Sequence, residues 1–235
     1  MPKKGKNKKM YIAAIVAVLL IALAVGSIAF VYNIQHPSKS VKVVIGVQVG
    51  DTFDYNLTGA SVLFSQGAVT PAYLSQYNDT DYYRVAITGI NGTKVYFTTD
   101  WVFLNGTDIP EAQWVDVSNG NQSDPNGFWG IYSSNLNVGD LTRPGGDDGI
   151  TVNDTGVQTY GTNTNRTVDY FSVSSQFYDV TDPTQSTYQD VLDTVYFDQQ
   201  TGMLTALTNE QEFNNPEYTI VITWQLFASS VWTVQ

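Results

Sequence analysis

An all-β domain of mainly antiparallel sheet, preceded by one N-terminal transmembrane helix, is the fold that the sequence predicts. Three patterns indicate it: an uncharged apolar run near the N-terminus, short stretches of alternating apolar and polar residues after it, and clusters of Gly, Asn, Asp and Pro between these stretches. The alternation is typical of both a sandwich and a half-barrel, and the sequence leaves these two architectures open.

The N-terminal forty residues have the pattern of a signal anchor. Residues 1–10 carry five lysines, and residues 11–32 are uncharged. As a helix this second stretch is about 33 Å long, enough to cross a bilayer. Because basic residues favour the cytoplasmic side, we expect residues 1–10 to be a cytoplasmic tail, 11–32 a single-pass anchor in the cell membrane, 33–40 a linker and 41–235 an extracellular β domain.

A cleaved secretory signal is the main alternative to the anchor. Ala24 and Gly26 form an A-x-A-like cleavage site before Ser27. The apolar run nevertheless continues past this site, beyond the length of a usual signal peptide, which favours the anchor. A prepilin-type leader is a third interpretation, but it expects a small residue directly before the apolar run, where this chain has Lys9 and Met10.

The charge distribution excludes nucleic acid as a partner. Beyond Lys42 there are four basic residues and all twenty-two acidic residues, so this part of the chain carries a net charge of −18. A field of that sign repels phosphate backbones and anionic lipid headgroups, and it suits solubility or cation binding.

The inventory of reactive side chains removes most enzyme classes. The chain has no cysteine, and its one histidine, His36, lies in the predicted linker. Ser-His-Asp and Cys-His mechanisms and metal sites built on histidine or thiolate are therefore excluded. A pair of carboxylates, as in glycosidases, is the remaining catalytic option, but the spacing of the acidic residues singles out no pair. The sequence predicts a protein that is not an enzyme.

The alternating stretches after residue 40 predict strands separated by turns. The clearest hairpin has residues 82–88 and 94–99 as its strands, and the pair Asn91-Gly92 supplies positive φ in the turn between them. Helix is predicted only at residues 71–77 and 182–190. The other predicted strands are residues 41–49, 52–57, 113–117, 128–132, 150–153, 157–160, 167–174, 191–198, 203–208 and 218–227.

Seven N-x-S/T sequons occur in the predicted extracellular domain, and none occurs in the first fifty residues. This distribution agrees with export and predicts glycosylation. Together with the acidity and the lack of cysteine, it resembles the composition of an archaeal membrane-anchored surface glycoprotein. The predicted glycosylation sites are Asn56, Asn78, Asn91, Asn105, Asn121, Asn153 and Asn165.

Two polar loops offer oxygen ligands for a hard cation such as Ca²⁺. In residues 119–127 these ligands are Asn121, Ser123 and Asp124, and in residues 145–149 they are Asp147 and Asp148. Neither loop matches an EF-hand. The same residue types also form ordinary turns, which is the more frequent reason for such loops.

Aromatic residues are abundant, with 5 Trp, 15 Tyr and 11 Phe. They fit either the core of a β domain or a platform for a carbohydrate. We expect core positions for residues in strand-like runs, namely Tyr196, Phe197, Trp224 and Phe227. Tyr82, Tyr83 and Trp129 lie near loops and are the candidates for a platform.

One hairpin resembles a known group. From Val195 to Leu204, an aromatic strand is followed by an Asp-x-x-Thr-Gly turn, with Gly202 expected in a left-handed conformation, and by a returning apolar strand. This arrangement is similar to a hairpin of the lipoprotein-carrier and LppX-like half-barrel group. The resemblance implies a concave sheet that holds acyl chains, although this chain lacks the lipidated cysteine of the lipoprotein members.

Three functions follow from these patterns. The first is a membrane-anchored structural or interaction protein of the cell envelope, glycosylated and without catalysis. The second is a membrane-proximal binding module for a lipid, glycan or peptide. The third is a carboxylate-dependent glycan hydrolase, which would need two acidic groups facing each other across a cleft. The expected partners are the membrane itself and an envelope protein, glycan or lipid.

Overall fold

The computed structural model describes residues 42–160 and 164–234. Nine antiparallel strands form one sheet, so the chain is all-β. The elements are β1 (Thr52–Leu63), α1 (Leu74–Asn78), β2 (Thr80–Asn91), β3 (Lys94–Phe103), β4 (Asp108–Asp116), β5 (Asp154–Tyr160), β6 (Thr164–Tyr178), β7 (Tyr188–Asp198), β8 (Leu204–Asn214) and β9 (Glu217–Ser229).

The sheet joins two meanders edge to edge. Strands follow one another in the order β4-β3-β2-β1-β9-β8-β7-β6-β5, so that β1 and β9 form the seam between residues far apart in sequence. Phe53 pairs with Ser229 at one end of this seam and Leu63 with Tyr218 at the other. A single sheet is present among the described residues, rather than the two sheets of a sandwich.

Residues 117–153, here called the crossing segment, cover part of one face of the sheet. The segment connects β4 to β5, and these are the two opposite edge strands, so it has to cross the whole sheet. It crosses over the face that carries Phe53, Tyr55 and Leu57, which we call the inner face. Phe128 of this segment packs on the inner face, with its ring centroid 5.7 Å from that of Tyr55 and 5.9 Å from that of Phe97.

The alternation of the strands is what builds the core beneath this segment. Neighbouring side chains of a strand point to opposite faces, and in each of β1, β2 and β3 three alternating residues are buried. Further along the crossing segment, Tyr132 packs on Phe197 at 4.6 Å between ring centroids, and Ile131 forms a bridge to Met203. The core therefore consists of one sheet face and an irregular covering segment.

Several sequence predictions are wrong in this region. Residues 42–48 are extended but not part of a strand, because Val44 pairs with the side chain of Ser133 and the backbone of Ser134 in the crossing segment. Residues 128–132 and 150–153 are not strands either, since they form only the isolated bridges Ile131–Met203 and Leu141–Thr151.

The two predicted helices have different outcomes. The prediction at residues 71–77 is confirmed by α1 and the turns before it. The prediction at residues 182–190 is wrong, since β7 begins at Tyr188. Asp182 accepts hydrogen bonds from the backbone amides of Thr184, Ser186 and Thr187 and thereby closes a loop.

The predicted transmembrane helix, residues 11–32, lies outside the described residues. Within residues 42–160 and 164–234, no helix is long and apolar enough to cross a membrane.

Candidate functional site

An open groove of about 460 Å³ lies on the inner face beside the crossing segment. Strands β2, β3, β4, β7, β8 and β9 contribute its floor, while α1 and residues 124–130 of the crossing segment form its walls. The groove exists because the crossing segment covers only part of the inner face. Paired residues of neighbouring strands lie on the same face, so register brings Tyr83 beside Trp101 and Leu207 beside Trp224.

Aromatic rings make up much of the groove lining. Tyr83 and Trp224 meet edge to face with ring centroids 4.8 Å apart, and Trp101 lies 6.0 Å from Tyr83. Tyr83 is buried, and burial raises the pKa of its phenol to about 12. Four rings are only half-buried and keep exposed area in the groove: Tyr77, Trp101, Trp129 and Trp224.

Carboxylate and amide side chains line the groove together with these rings. The lining contains no Lys, Arg or His, so every charge in it is negative. The carboxylate and amide side chains that line the groove are Glu111, Asp124, Asp193, Gln113, Asn126, Asn209 and Gln211.

Three amides and one carboxylate form a chain of hydrogen bonds along the floor, here called the amide relay. Gln189 Nε2 donates to Gln211 Oε1 at 3.0 Å. Gln211 Nε2 donates to Asn209 Oδ1 at 2.6 Å, and Asn209 Nδ2 donates to Asp193 Oδ1 at 2.7 Å. Because every bond runs in the same direction, the relay fixes the orientation of each amide and leaves Asp193 Oδ2 outside it.

A second hydrogen-bonded pair orders the opposite side of the groove. Gln113 Nε2 donates to Glu111 Oε2 at 2.6 Å, while Gln113 Oε1 accepts the backbone N–H of Phe128 at 2.9 Å. This second bond ties β4 to the crossing segment. The groove thus presents pre-oriented acceptors on β4 and on β7, with aromatic rings between them.

The residues predicted for Ca²⁺ binding form turns in the crossing segment. Ser123 Oγ accepts the N–H of Trp114, and Asp124 Oδ1 accepts that of Asn126. Asp148 Oδ1 accepts the N–H of Ile150, while Asn121 and Asp147 are exposed. Within the described ranges no group of three or more His, Cys, Asp or Glu is placed to hold a metal. Calcium binding stays a prediction.

All seven predicted glycosylation sites are exposed. Asn78 differs from the others because both polar atoms of its side chain bind one residue: Oδ1 accepts the N–H of Gly59 at 2.9 Å, and Nδ2 donates to its carbonyl at 2.8 Å. At Asn153 and Asn165 only Oδ1 is used, by Ser172 and Thr159 respectively. A glycan on Asn78 would therefore disturb a contact between α1 and β1.

Two of the three residues predicted for an aromatic platform lie in the groove, and the platform itself stays a prediction. Tyr83 and Trp129 line the groove, but Tyr82 does not, since it lies on the outer face under the guanidinium of Arg84 at 5.0 Å. Trp224, which was expected in the core, is half-buried and lines the groove.

The polar residues of the groove were missed by the sequence reasoning. Glu111, Asp193, Asn209 and Gln211 lie within strands, whereas the predicted oxygen ligands lie in loops. One signal was present: Leu207, Asn209 and Gln211 occupy successive inner positions of β8, and two amides at apolar positions indicate an inner face that is not fully covered.

The hairpin from Val195 to Leu204 has the predicted turn. β7 ends at Asp198, β8 begins at Leu204, and Gly202 between them has φ +72°. No family model, curated protein or solved structure matches the chain. The resemblance to half-barrel carriers therefore stays a prediction.

Proposed function

We propose that the protein is a membrane-anchored, extracytoplasmic binding module, glycosylated and without catalysis, whose groove takes a neutral carbohydrate. One observation carries the proposal: half-buried aromatic rings and pre-oriented amides and carboxylates share a groove of about 460 Å³. A sugar has apolar C–H faces and a rim of hydroxyls. Its faces suit the electron-rich faces of Trp and Tyr rings, and its hydroxyls suit fixed acceptors and donors.

Lining chemistry favours a glycan over a lipid. A half-barrel-like carrier of acyl chains would need an apolar lining. Carboxylates and amides in a lining lose their hydrogen bonds to water when a ligand covers them, and an acyl chain has no polar group that replaces these bonds. Glu111 and Asp193 flank the aromatic rings of this groove and would lose water in that way.

The sheet around the groove also disfavours an extended peptide. Peptides that add to a sheet need an edge strand with free backbone groups. The floor strands β2, β3, β7, β8 and β9 are each paired on both sides, and at the edge strand β4 the backbones of Trp114 and Asp116 hydrogen-bond to Ser123 and Asn121 of the crossing segment. Anionic glycans such as polyuronates are disfavoured by charge, since Glu111, Asp124 and Asp193 would repel them.

Binding of immobilised glycans by the full chain in detergent micelles tests the proposal. The panel contains neutral oligosaccharides, polyuronates and phospholipid-coated surfaces, and titration calorimetry measures the affinities. We expect saturable binding of a neutral oligosaccharide, with no release of reducing sugar. Trp224→Ala is expected to lower the affinity at least tenfold, about 1.4 kcal/mol.

The matched control is Trp114→Ala. Trp114 is half-buried like Trp224 but lies on the outer face of β4, where the ammonium of Lys94 is 3.9 Å from its ring centroid. This variant should keep the wild-type affinity. Equal losses in the two variants, or binding of phospholipid but of no glycan, would refute the proposal.

A further inference from the structure

We propose that the groove continues along β7 and β8 to a second stacking platform formed by Phe213 and Tyr218, so that its ligand is a linear glycan several sugar units long. This inference rests on the proposed function and specifies the class of glycan. It predicts that affinity depends on chain length.

Phe213 and Tyr218 form the most parallel pair of rings in the described part of the chain. Their centroids are 4.3 Å apart and their planes differ by 6°. The two residues are partners in the β8–β9 register, and both are half-buried.

This pair lies on the same face of the sheet as the groove. Tyr218 and Trp224 are six positions apart on β9, and an even spacing places two side chains on one face of a strand. At the rise of a strand, six residues separate the two positions by roughly 20 Å. A disaccharide is too short to contact both platforms, whereas a longer linear oligosaccharide reaches from one to the other.

The amide relay runs along the path between the two platforms. Asp193 and Asn209 line the groove, and Gln189 at the other end is the register partner of Phe213. Each amide in the relay has one N–H that the relay does not use, and these N–H groups suit sugar hydroxyls along the path. Fixed orientation reduces the entropy lost when such groups bind a ligand.

Charge along the path supports the same type of ligand. The one charged side chain of the relay is Asp193, and neither the relay nor the groove lining contains a basic residue. A neutral chain is therefore compatible with the path, whereas a polyanion would meet Asp193 and the other carboxylates of the groove.

The test compares oligomers of β-1,4-linked glucose and of β-1,4-linked N-acetylglucosamine, from the disaccharide to the hexasaccharide, on the full chain in detergent micelles. We expect one series to bind with an affinity that rises at least tenfold from the disaccharide to the hexasaccharide. Tyr218→Ala should reduce the hexasaccharide affinity to that of the disaccharide. Tyr96→Ala, on the outer face, is the control and should keep the length dependence.

A second variant distinguishes the loss of a ligand contact from misfolding of Tyr218→Ala. Gln189→Met keeps the size of the side chain and removes the outer end of the relay, and it should lower the hexasaccharide affinity about threefold with no change in melting temperature. A disaccharide and a hexasaccharide of equal affinity would overturn the extended path and leave the proposed function standing. If no oligomer of either series binds, both proposals fall.

Discussion

Arg166 and Asp198 form a two-point ion pair at one end of the sheet. Nε and Nη2 of the arginine donate to the two carboxylate oxygens at 2.8 and 2.7 Å. Asp198 also accepts the backbone N–H and the hydroxyl of Thr201, each at 2.8 Å. The guanidinium carbon lies 4.5 Å from the ring centroid of Trp232. The pair therefore links β6, the β7–β8 turn and residues 230–234.

Removal of Arg166 should destabilise the fold strongly. The side chain of Asp198 is 1% exposed, and Arg166→Ala leaves this carboxylate buried without its cation, which typically costs about 3 kcal/mol or more. Arg84→Ala is the control, because the Arg84–Asp54 pair has the same two-point geometry but 45% and 15% exposure. Its expected cost is below about 1 kcal/mol. Urea midpoints of the two variants give the comparison, and equal midpoints would contradict it.

Asp169 should make stability depend on pH in the acid range. It is fully buried, and only its Oδ1 has hydrogen-bond partners, Thr155 at 2.8 Å and Gln199 at 3.3 Å. Burial, with a smaller contribution from the charge of Asp198, raises the pKa of the Asp169 carboxyl to about 6. The folded state therefore holds this proton more tightly than the unfolded state, and stability from this group falls as pH rises from about 4 to 6.

Asp169→Asn removes this titration. Between pH 4 and pH 7, the wild type should lose up to roughly 3 kcal/mol relative to the variant. The measurement is the free energy of unfolding of both proteins across that range. Parallel pH profiles would show that the buried carboxyl does not titrate as expected.

Two glycines with positive φ should respond differently to alanine. Gly202 has φ +72°, and an added Cβ would lie 2.1 Å from the carbonyl oxygen of Tyr132. Gly92 has φ +61° but open space around the same position. Gly92→Ala should cost about 1 kcal/mol from the backbone conformation alone, and Gly202→Ala should cost several times more. Thermal unfolding of both variants checks this, and similar melting temperatures would contradict it.

Arg143 should support both stability and the groove. It is 5% exposed and donates to the carbonyls of Ile131 at 2.6 Å and Trp129 at 2.7 Å, with its guanidinium 4.6 Å from the ring centroid of Tyr132. A lysine cannot reproduce this fork, so Arg143→Lys should cost about 2 kcal/mol or more. Because Trp129 lines the groove, glycan affinity should fall as well. Arg84→Lys is the control and should leave the affinity unchanged.

Asn78 should be the sequon most sensitive to substitution. Asn78→Ala removes two hydrogen bonds to Gly59 and should cost about 1 kcal/mol, whereas Asn91→Ala at the exposed end of β2 should cost less than about 0.5 kcal/mol. Peptide mass spectrometry of the native protein should find lower glycan occupancy at Asn78 than at Asn91. Full occupancy at Asn78 would show that the contact with Gly59 is dispensable.

Local sequence signals were sufficient where a strand and its neighbour are adjacent in the chain. The Asn91-Gly92 pair predicts the β2–β3 hairpin, and the register confirms the hairpin with Asn91 opposite Lys94. The turn itself is formed by Gly92 and Thr93, and of the predicted pair only Gly92 has positive φ. The same holds for the β7–β8 hairpin around Gly202. In both cases the information lies in the preference of a few residues for one turn geometry.

Local signals failed where a segment packs on the sheet instead of joining it. The alternation in residues 42–48 is real, and Val47 is buried, but the partner of this segment is the crossing segment. An apolar pattern in the sequence indicates that a side chain is buried. It does not indicate whether a strand with unpaired backbone groups lies beside the segment. The prediction at residues 182–190 failed because three backbone amides bind the Asp182 side chain and close a loop.

The sequence by itself determined the all-β class and the acidic, cysteine-free character of the described residues, because these depend on composition and on periodicity along one strand. Only the tertiary structure decided that β4 and β5 are opposite edges, that their connection must therefore cross the inner face, and that the face it leaves open gathers Trp224, Glu111 and Asp193 into one groove. Alternation assigns a residue to a face, but the pairing of distant strands decides its neighbours.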